Sequence, residues 1–233
     1  MKSIKNMVNS YLKRGNKKFN RFIDKNNWAH LDNSFKKRKY SSYDDYVSHQ
    51  KSKFKNKEKS LKNNHNSNVE RFYQRFRNCE YIERNNNVLC LGARTGAEVE
   101  AFRKLGCFAM GIDLNPGIDN PFVMYGDFHN LLFPKDSADI IYCNCLDHLF
   151  DLDEVLKEIV RVLKDGGGVF IFDVVAGFED EISHNVDGFD CFHWKKAEDF
   201  VILVSKKSGL KLKKFRNLKD IGAPKWNRAI LIK

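Results

Sequence analysis

Apolar residues between positions 87 and 232 fall into two alternating rhythms. Val88 to Leu91, Ile140 to Tyr142 and Val169 to Phe172 are short runs unbroken by polar residues. Such runs suit strands covered on both faces, as in a parallel sheet. Between them apolar positions recur at helical spacing: Val99, Phe102 and Leu105 in one stretch, and Leu152, Val155, Leu156, Ile159, Val160 and Leu163 in another. The second set marks one face of a helix, with Asp151 placed to cap its start and Gly166 suited to a left-handed residue past its end. The pattern further predicts a helix over Ala197–Ser208 and strands over Leu210–Phe215 and Arg228–Ile232, joined by a turn at Asp220–Pro224. Strands and helices in alternation predict an α/β fold.

The first quarter of the chain has another texture. Ile4, Met7, Val8, Tyr11 and Leu12 keep helical spacing, as Tyr43, Tyr46, Val47 and Phe54 do more loosely. Asn63–Asn68 reads as a linker, and Val69–Ile82 as a helix leading into the sheet. The expected organisation is a helical N-terminal extension over residues 1–66 and one α/β domain over 67–233, in a chain of 233 residues.

Charge sharpens that division. Residues 1–62 hold 18 Lys and Arg against 5 Asp and Glu, whereas the rest of the chain holds 23 against 25. Basic residues interleaved with Phe19, Phe22, Trp28, Phe35, Tyr40, Tyr43, Tyr46 and Phe54 could bind phosphates and stack on bases. Alternatively, the aromatics pack the extension onto the domain beside its functional site. No apolar stretch reaches 18 residues, so no membrane span is expected. The N-terminus lacks the apolar segment of a secretory signal, and the six cysteines form no C-x-x-C pair or zinc spacing. Reduced, cytoplasmic residence is the expectation, with no metal.

The candidate chemistry lies in Asn87–Gly117. The first apolar run ends in Gly92, Gly96 opens the following helix, and the next apolar run ends in Asp113, 21 residues after Gly92. Strand, glycine turn, helix, strand and acid make the βαβ unit that holds an adenosine-containing cofactor. Glycines let the turn tighten and let a ligand approach the backbone, while the acid can accept from ribose hydroxyls. A nicotinamide fingerprint wants glycine at the third turn position, where Arg94 stands.

The segment resembles motif I of the class I S-adenosylmethionine-dependent methyltransferases, whose pattern is G-x-G-x-G. Gly92 and Gly96 match its outer glycines; Arg94 replaces the middle one, and Cys90 stands where a strand acid is usual. The resemblance continues in order through GIDLNP (111–116), YGDFHNLLFP (125–134), ADIIYCNCLDHLFDLD (138–153) and EIVRVLKDGGGVFIFD (158–173). It implies a Rossmann-like, mostly parallel sheet whose last strand runs antiparallel, with S-adenosylmethionine as cofactor. It further implies cofactor contacts from Gly92, Arg94, Gly96, Asp113 and Leu114. Asp127 would accept from the adenine amino group, Phe128 would flank the ring, and Asn144 would meet the methionine part.

Methyl transfer from a sulfonium depends mostly on proximity and in-line orientation, and a base is needed only if the acceptor must lose a proton. Asp147 and His148 are the candidate catalytic pair, for acceptor contact or proton removal. His129 is expected to tune the adenine pocket, and His184 and His193 lie in a loop that can line the acceptor site. No N-P-P-[YF] tetrapeptide follows the fourth strand, which argues against adenine or glutamine amines, and no proline–cysteine pair suggests cytosine C5 chemistry. The resemblance therefore implies a methyltransferase for a small-molecule, glycan or lipid-type acceptor. Two alternatives stay open: an RNA-directed methyltransferase anchored through residues 1–62, and a non-catalytic cofactor-binding scaffold.

Overall fold

The computed structural model describes residues 27–117, 119–183 and 188–233, with the backbone alone for residues 53–62. Its frame is a seven-stranded sheet in the order β5-β4-β3-β6-β7-β10-β9. Here β3 is Asn87–Leu91, β4 Phe108–Asp113, β5 Val123–Tyr125, β6 Ile140–Cys143, β7 Val169–Val175, β9 Lys211–Leu218 and β10 Ala223–Ile232. The first five strands in that order pair in parallel, and β10 is antiparallel to both β7 and β9. The expected α/β sheet with an antiparallel closing strand is therefore what forms.

Alternation within each apolar run explains why both sheet faces are dry. Leu89 and Leu91 pack with Ile141, Phe170 and Phe172 against helix α4 (Leu152–Val162) and helix α5 (Ala197–Ser208). Val88 and Cys90 point the other way, joining Ile140, Tyr142 and Ile171 under helix α2 (His65–Phe76) and helix α3 (Ala97–Lys104). Phe76 stacks on Phe102 at 4.2 Å between ring centroids. Each sheet residue thus buries apolar area against one helical layer or the other, which is the dominant favourable contribution to this architecture.

Local signals set most boundaries. The Asp151 carboxylate accepts from the Asp153 and Glu154 amides at 2.9 and 3.2 Å, capping α4. That helix stops at Val162 because Leu163 is extended, so Gly166 serves the turn before β7, at φ +74°, rather than the helix end itself. Gly209, at φ +72°, closes α5.

The N-terminal segment differs from its expected helical form. Trp28–His30 (β1) and Phe35–Arg38 (β2) are strands, and with Phe192–Trp194 (β8) they make a three-stranded antiparallel sheet. The alternation Phe35–Lys36–Lys37–Arg38 buries its two end residues, and Phe35 pairs with Trp194. Helix α1 (Tyr43–Asn63) follows, and Asn64 alone separates it from α2, so the expected linker is a helix junction. The predicted helical residues Ile4 to Leu12, together with Phe19 and Phe22, lie outside the described residues.

Candidate active site

The C-terminal ends of β3, β4 and β6 converge where the connections diverge to opposite sides of β3, the position at which open α/β sheets bind ligands. Gly92 leaves β3 at φ +67°, and a Cβ there would lie 2.2 Å from Cys145 Sγ. Gly96 takes φ +82° as the N-cap residue of α3, backed by the Phe122 and Val123 side chains. Between them Arg94 sits at φ +46°, a left-handed conformation that glycine adopts freely and arginine at a cost of about 1 kcal/mol. Two hydrogen bonds hold it: the Arg94 amide donates to Asp113 Oδ2 at 3.0 Å, and Asn120 Nδ2 donates to the Arg94 carbonyl at 3.0 Å.

Asp113 ends β4, and its other oxygen accepts from the Asn115 amide at 2.7 Å. A small cavity of about 50 Å³ opens beside it, lined by Gly92, Arg94, Asp113, Leu114, Phe128 and His148, with Tyr46 and Gln50 of α1 as its cover. Ligand sites are usually at least about 300 Å³. The closing groups are aromatic. Tyr46 is buried, and the Tyr43 hydroxyl donates to Asp127 Oδ2, the acid expected to meet adenine. Burial pulls Asp127 toward the neutral form, but hydrogen bonds from His129 and Tyr43 outweigh it and hold the carboxyl below its ordinary range. His129 Nε2 accepts from the Phe150 and Asp151 amides, both at 3.1 Å, so its proton sits on Nδ1 and is donated to Asp127 Oδ1 at 2.8 Å. His129 thereby joins Asp127 to the loop after β6.

A second cleft, about 350 Å³, continues from Gly92 and Arg94 past Asn144, Asp147 and His148 to α2 and β10. The carbonyl of Phe189 can only accept, so His148 Nδ1 donates to it at 3.0 Å, and Nε2 faces Asp147 Oδ2 at 3.7 Å. Asp190 Oδ1 lies 3.6 Å from Nδ1. One ligand atom each from Asp147, His148 and Asp190 falls within 4.8 Å of the others, close enough to share a cation. The imidazole turns a different nitrogen toward each carboxylate, so the same contacts also orient the ring.

Glu98 is the acid that sequence reading missed. It lines the second cleft, is buried on α3, and burial pushes its carboxyl up to about 8 against the opposing pull of Arg94 and Arg75. Cys90, in the place of the usual strand acid, is fully buried and its thiol is raised by desolvation. Asp190 and Trp226 line this cleft as well, brought from late loops and strands that carry no local motif.

The expected residues separate accordingly. Gly92, Arg94, Asp113, Leu114, Phe128 and His148 meet at the small cavity, and Asn144, Asp147 and His148 at the cleft. Gly96 shapes the turn without lining either space, and Asp127 is turned to Tyr43. His193 lies between the rings of Trp28 and Phe178, at 6.2 and 5.0 Å, and His184 is outside the described residues. A larger groove of about 520 Å³ at the opposite ends of the strands, around Phe108 and Phe133, contains none of these groups.

The donor set fits an adenosyl cofactor: a glycine turn at a helix N-terminus, an acid at the end of the next strand, and an aromatic side chain, Phe128, on the cavity wall. Tyr46 lines that cavity, and Tyr43 stands beside it on Asp127.

Residues 89–171 match the family model described as a methyltransferase domain. Over 103 residues the chain is 31% identical to the uncharacterized methyltransferase YcgJ of Bacillus subtilis, covering 38% of this chain and 41% of that protein. Over 80 residues it is 38% identical to arsenite methyltransferase of Mus musculus, covering 31% of this chain and 20% of that one. The chain thus spans less than half the length of these curated relatives. Among solved structures, 1,6-didemethyltoxoflavin-N1-methyltransferase of Burkholderia thailandensis, with its ligand and S-adenosylhomocysteine bound, superposes with a TM-score of 0.66. It is 13% identical and covers 88% of this chain and 98% of that one, a likeness of fold.

Proposed function

We propose, from the methyltransferase-domain match over residues 89–171, that the protein is a class I methyltransferase that transfers a methyl group from S-adenosylmethionine to a small-molecule acceptor, in preference to a glycan or lipid-type one. The methyl donor of this superfamily is S-adenosylmethionine, which supplies an activated sulfonium methyl group when bound. The observation that carries the reading is the continuity of the two spaces: Gly92, Arg94 and His148 line both the cavity beside Asp113 and the cleft beyond Asn144.

In this reading Asp113 binds the ribose, Phe128 flanks the adenine, and Gly92, Arg94 and Asn144 surround the methionine part. His148, oriented through Phe189 and flanked by Asp147, removes an acceptor proton at Nε2 where the acceptor has one to lose. The division of the chain into an extension over 1–66 and a domain over 67–233 belongs to the same proposal, with α1 of the extension covering the donor.

The RNA-directed alternative rests on the excess of basic residues before position 63. Among the described residues, Phe35 and Tyr46 are buried and do not offer stacking faces, which favours the cover reading. Salt-dependent RNA binding lost on removing residues 1–62 would reverse that preference.

The test is titration calorimetry with S-adenosylhomocysteine, followed by tritiated methyl transfer in a host lysate. Asp113→Ala is expected to weaken nucleoside binding about 100-fold, as two hydrogen bonds to a carboxylate are lost. Absence of binding by the intact protein would sink the proposal, and binding without transfer would leave the scaffold reading in its place.

A further inference from the structure

Beneath the cleft, between the paired strands β7 and β10, lies a buried charge cluster that the donor site does not use. Asp173 is 2% exposed. Arg228 takes its carboxylate with two short bonds, Nε to Oδ1 at 2.7 Å and Nη2 to Oδ2 at 2.9 Å, and the Tyr142 hydroxyl donates to Oδ2 at 2.9 Å. That carboxylate is already well supplied. Arg75 of α2 reaches the same oxygen only at 3.3 Å, through Nη1.

Two guanidinium groups therefore face one carboxylate, leaving one positive charge in surplus. Arg75 is 7% exposed and lines the cleft, and its Nε has no hydrogen-bond partner. The rings of Phe72 and Trp226 stand 5.5 and 5.4 Å from its guanidinium carbon, so the cation sits in an aromatic frame. A buried cation with unused donors is costly unless an anion completes it, and a guanidinium is the side chain best shaped for a planar oxyanion. Glu98 does not fill that role at neutral pH, because burial keeps it largely protonated up to about 8.

We propose that the cleft's acceptor is a flat, conjugated small molecule bearing a carboxylate or similar oxyanion, bound by Arg75 between Phe72 and Trp226. This deepens the methyltransferase reading and rests on it. Asn144 and His148 line the same cleft, so the group to be methylated is the part of the acceptor remote from its anion. The methionine carboxylate of the donor offers the same chemistry, and the experiment must separate the two sources.

Full-length protein saturated with S-adenosylhomocysteine is titrated with aryl carboxylates (benzoate, salicylate, 4-hydroxybenzoate, indole-3-acetate) and with the matching neutral amides. At least one acid is expected to bind tenfold or more tightly than its amide. Arg75→Met should abolish that preference while changing nucleoside affinity less than threefold. Because Arg75→Met also touches Asp173, Trp226→Leu serves as a second variant, expected to weaken acid and amide alike with the preference retained. Equal binding of acids and amides, or a preference that survives Arg75→Met, overturns the proposal. A selective loss of nucleoside affinity in Arg75→Met assigns the oxyanion to the donor and overturns it too. The same titrations without nucleoside decide the oxyanion question independently, so a failure to bind S-adenosylhomocysteine counts against the methyltransferase reading alone.

Discussion

The two halves of the site are built by different means. On the proposed donor side, Gly92, Arg94, Asp113 and Leu114 lie within 23 residues of one another, and Gly92 and Arg94 shape the turn through left-handed backbone that the Asp113 carboxylate helps to hold. On the proposed acceptor side, Arg75, Glu98, Asn144, Asp190 and Trp226 come from five separate segments and meet only as the lining of the cleft. A backbone-built subsite is inseparable from the fold that shapes it. A side-chain subsite can be altered while the fold persists, which is how one architecture serves many acceptors.

Breaking the donor side should therefore cost stability first. Gly92→Ala places a methyl group 2.2 Å from Cys145 Sγ in a left-handed position. A loss of about 3 kcal/mol is expected, measured as a shift in urea unfolding. Adding Cys145→Ala should recover roughly half, since it removes the clash but not the backbone strain; no recovery would mean that the strain alone matters.

On the acceptor side the sharpest handle is pH. Folding raises the Glu98 carboxyl from 4.5 to about 8, so the folded state binds more protons than the unfolded state between those values. The stabilising contribution is fully present below about pH 4.5 and is lost as pH rises through 8. Burial is the main cause of the shift, opposed by Arg94 and Arg75 and reinforced by Asp113, and together they set the width of that window. Glu98→Gln should flatten stability against pH across that window, and an unchanged slope would show that Glu98 titrates normally.

The smallest effect probes the boundary between the halves. Tyr43 occupies an oxygen of Asp127. Tyr43→Phe frees it and should tighten S-adenosylhomocysteine binding about threefold to tenfold by calorimetry. Weaker binding instead would make Tyr43 a contact of the bound nucleoside and not its competitor.

Much of the frame was legible because it depends on short-range pattern. The helix over Ala197–Ser208 and the core runs around Leu89, Ile141 and Phe170 appear where periodicity places them. The extension was misread over Trp28–Arg38 because its hairpin docks through β2 on Phe192–Trp194, more than 150 residues away, and no local signal announces that partner. Arg94 looked like a defect in the glycine pattern; its left-handed backbone, held by Asp113 and Asn120, shows the turn preserved without the glycine. Glu98, flanked by Ala97 and Val99, reads from sequence as a solvent-facing helical acid, and burial under α2 makes it otherwise.

By itself the sequence determined the alternating strands and helices, the glycine turn and the acid at Asp113, because each follows from the conformational preferences of neighbouring residues. Only the tertiary structure decided that Tyr43 closes over Asp127, and that Arg75 is left with surplus charge between Phe72 and Trp226. Burial and electrostatic balance depend on which distant side chains arrive at the same place, and no stretch of local sequence carries that sum.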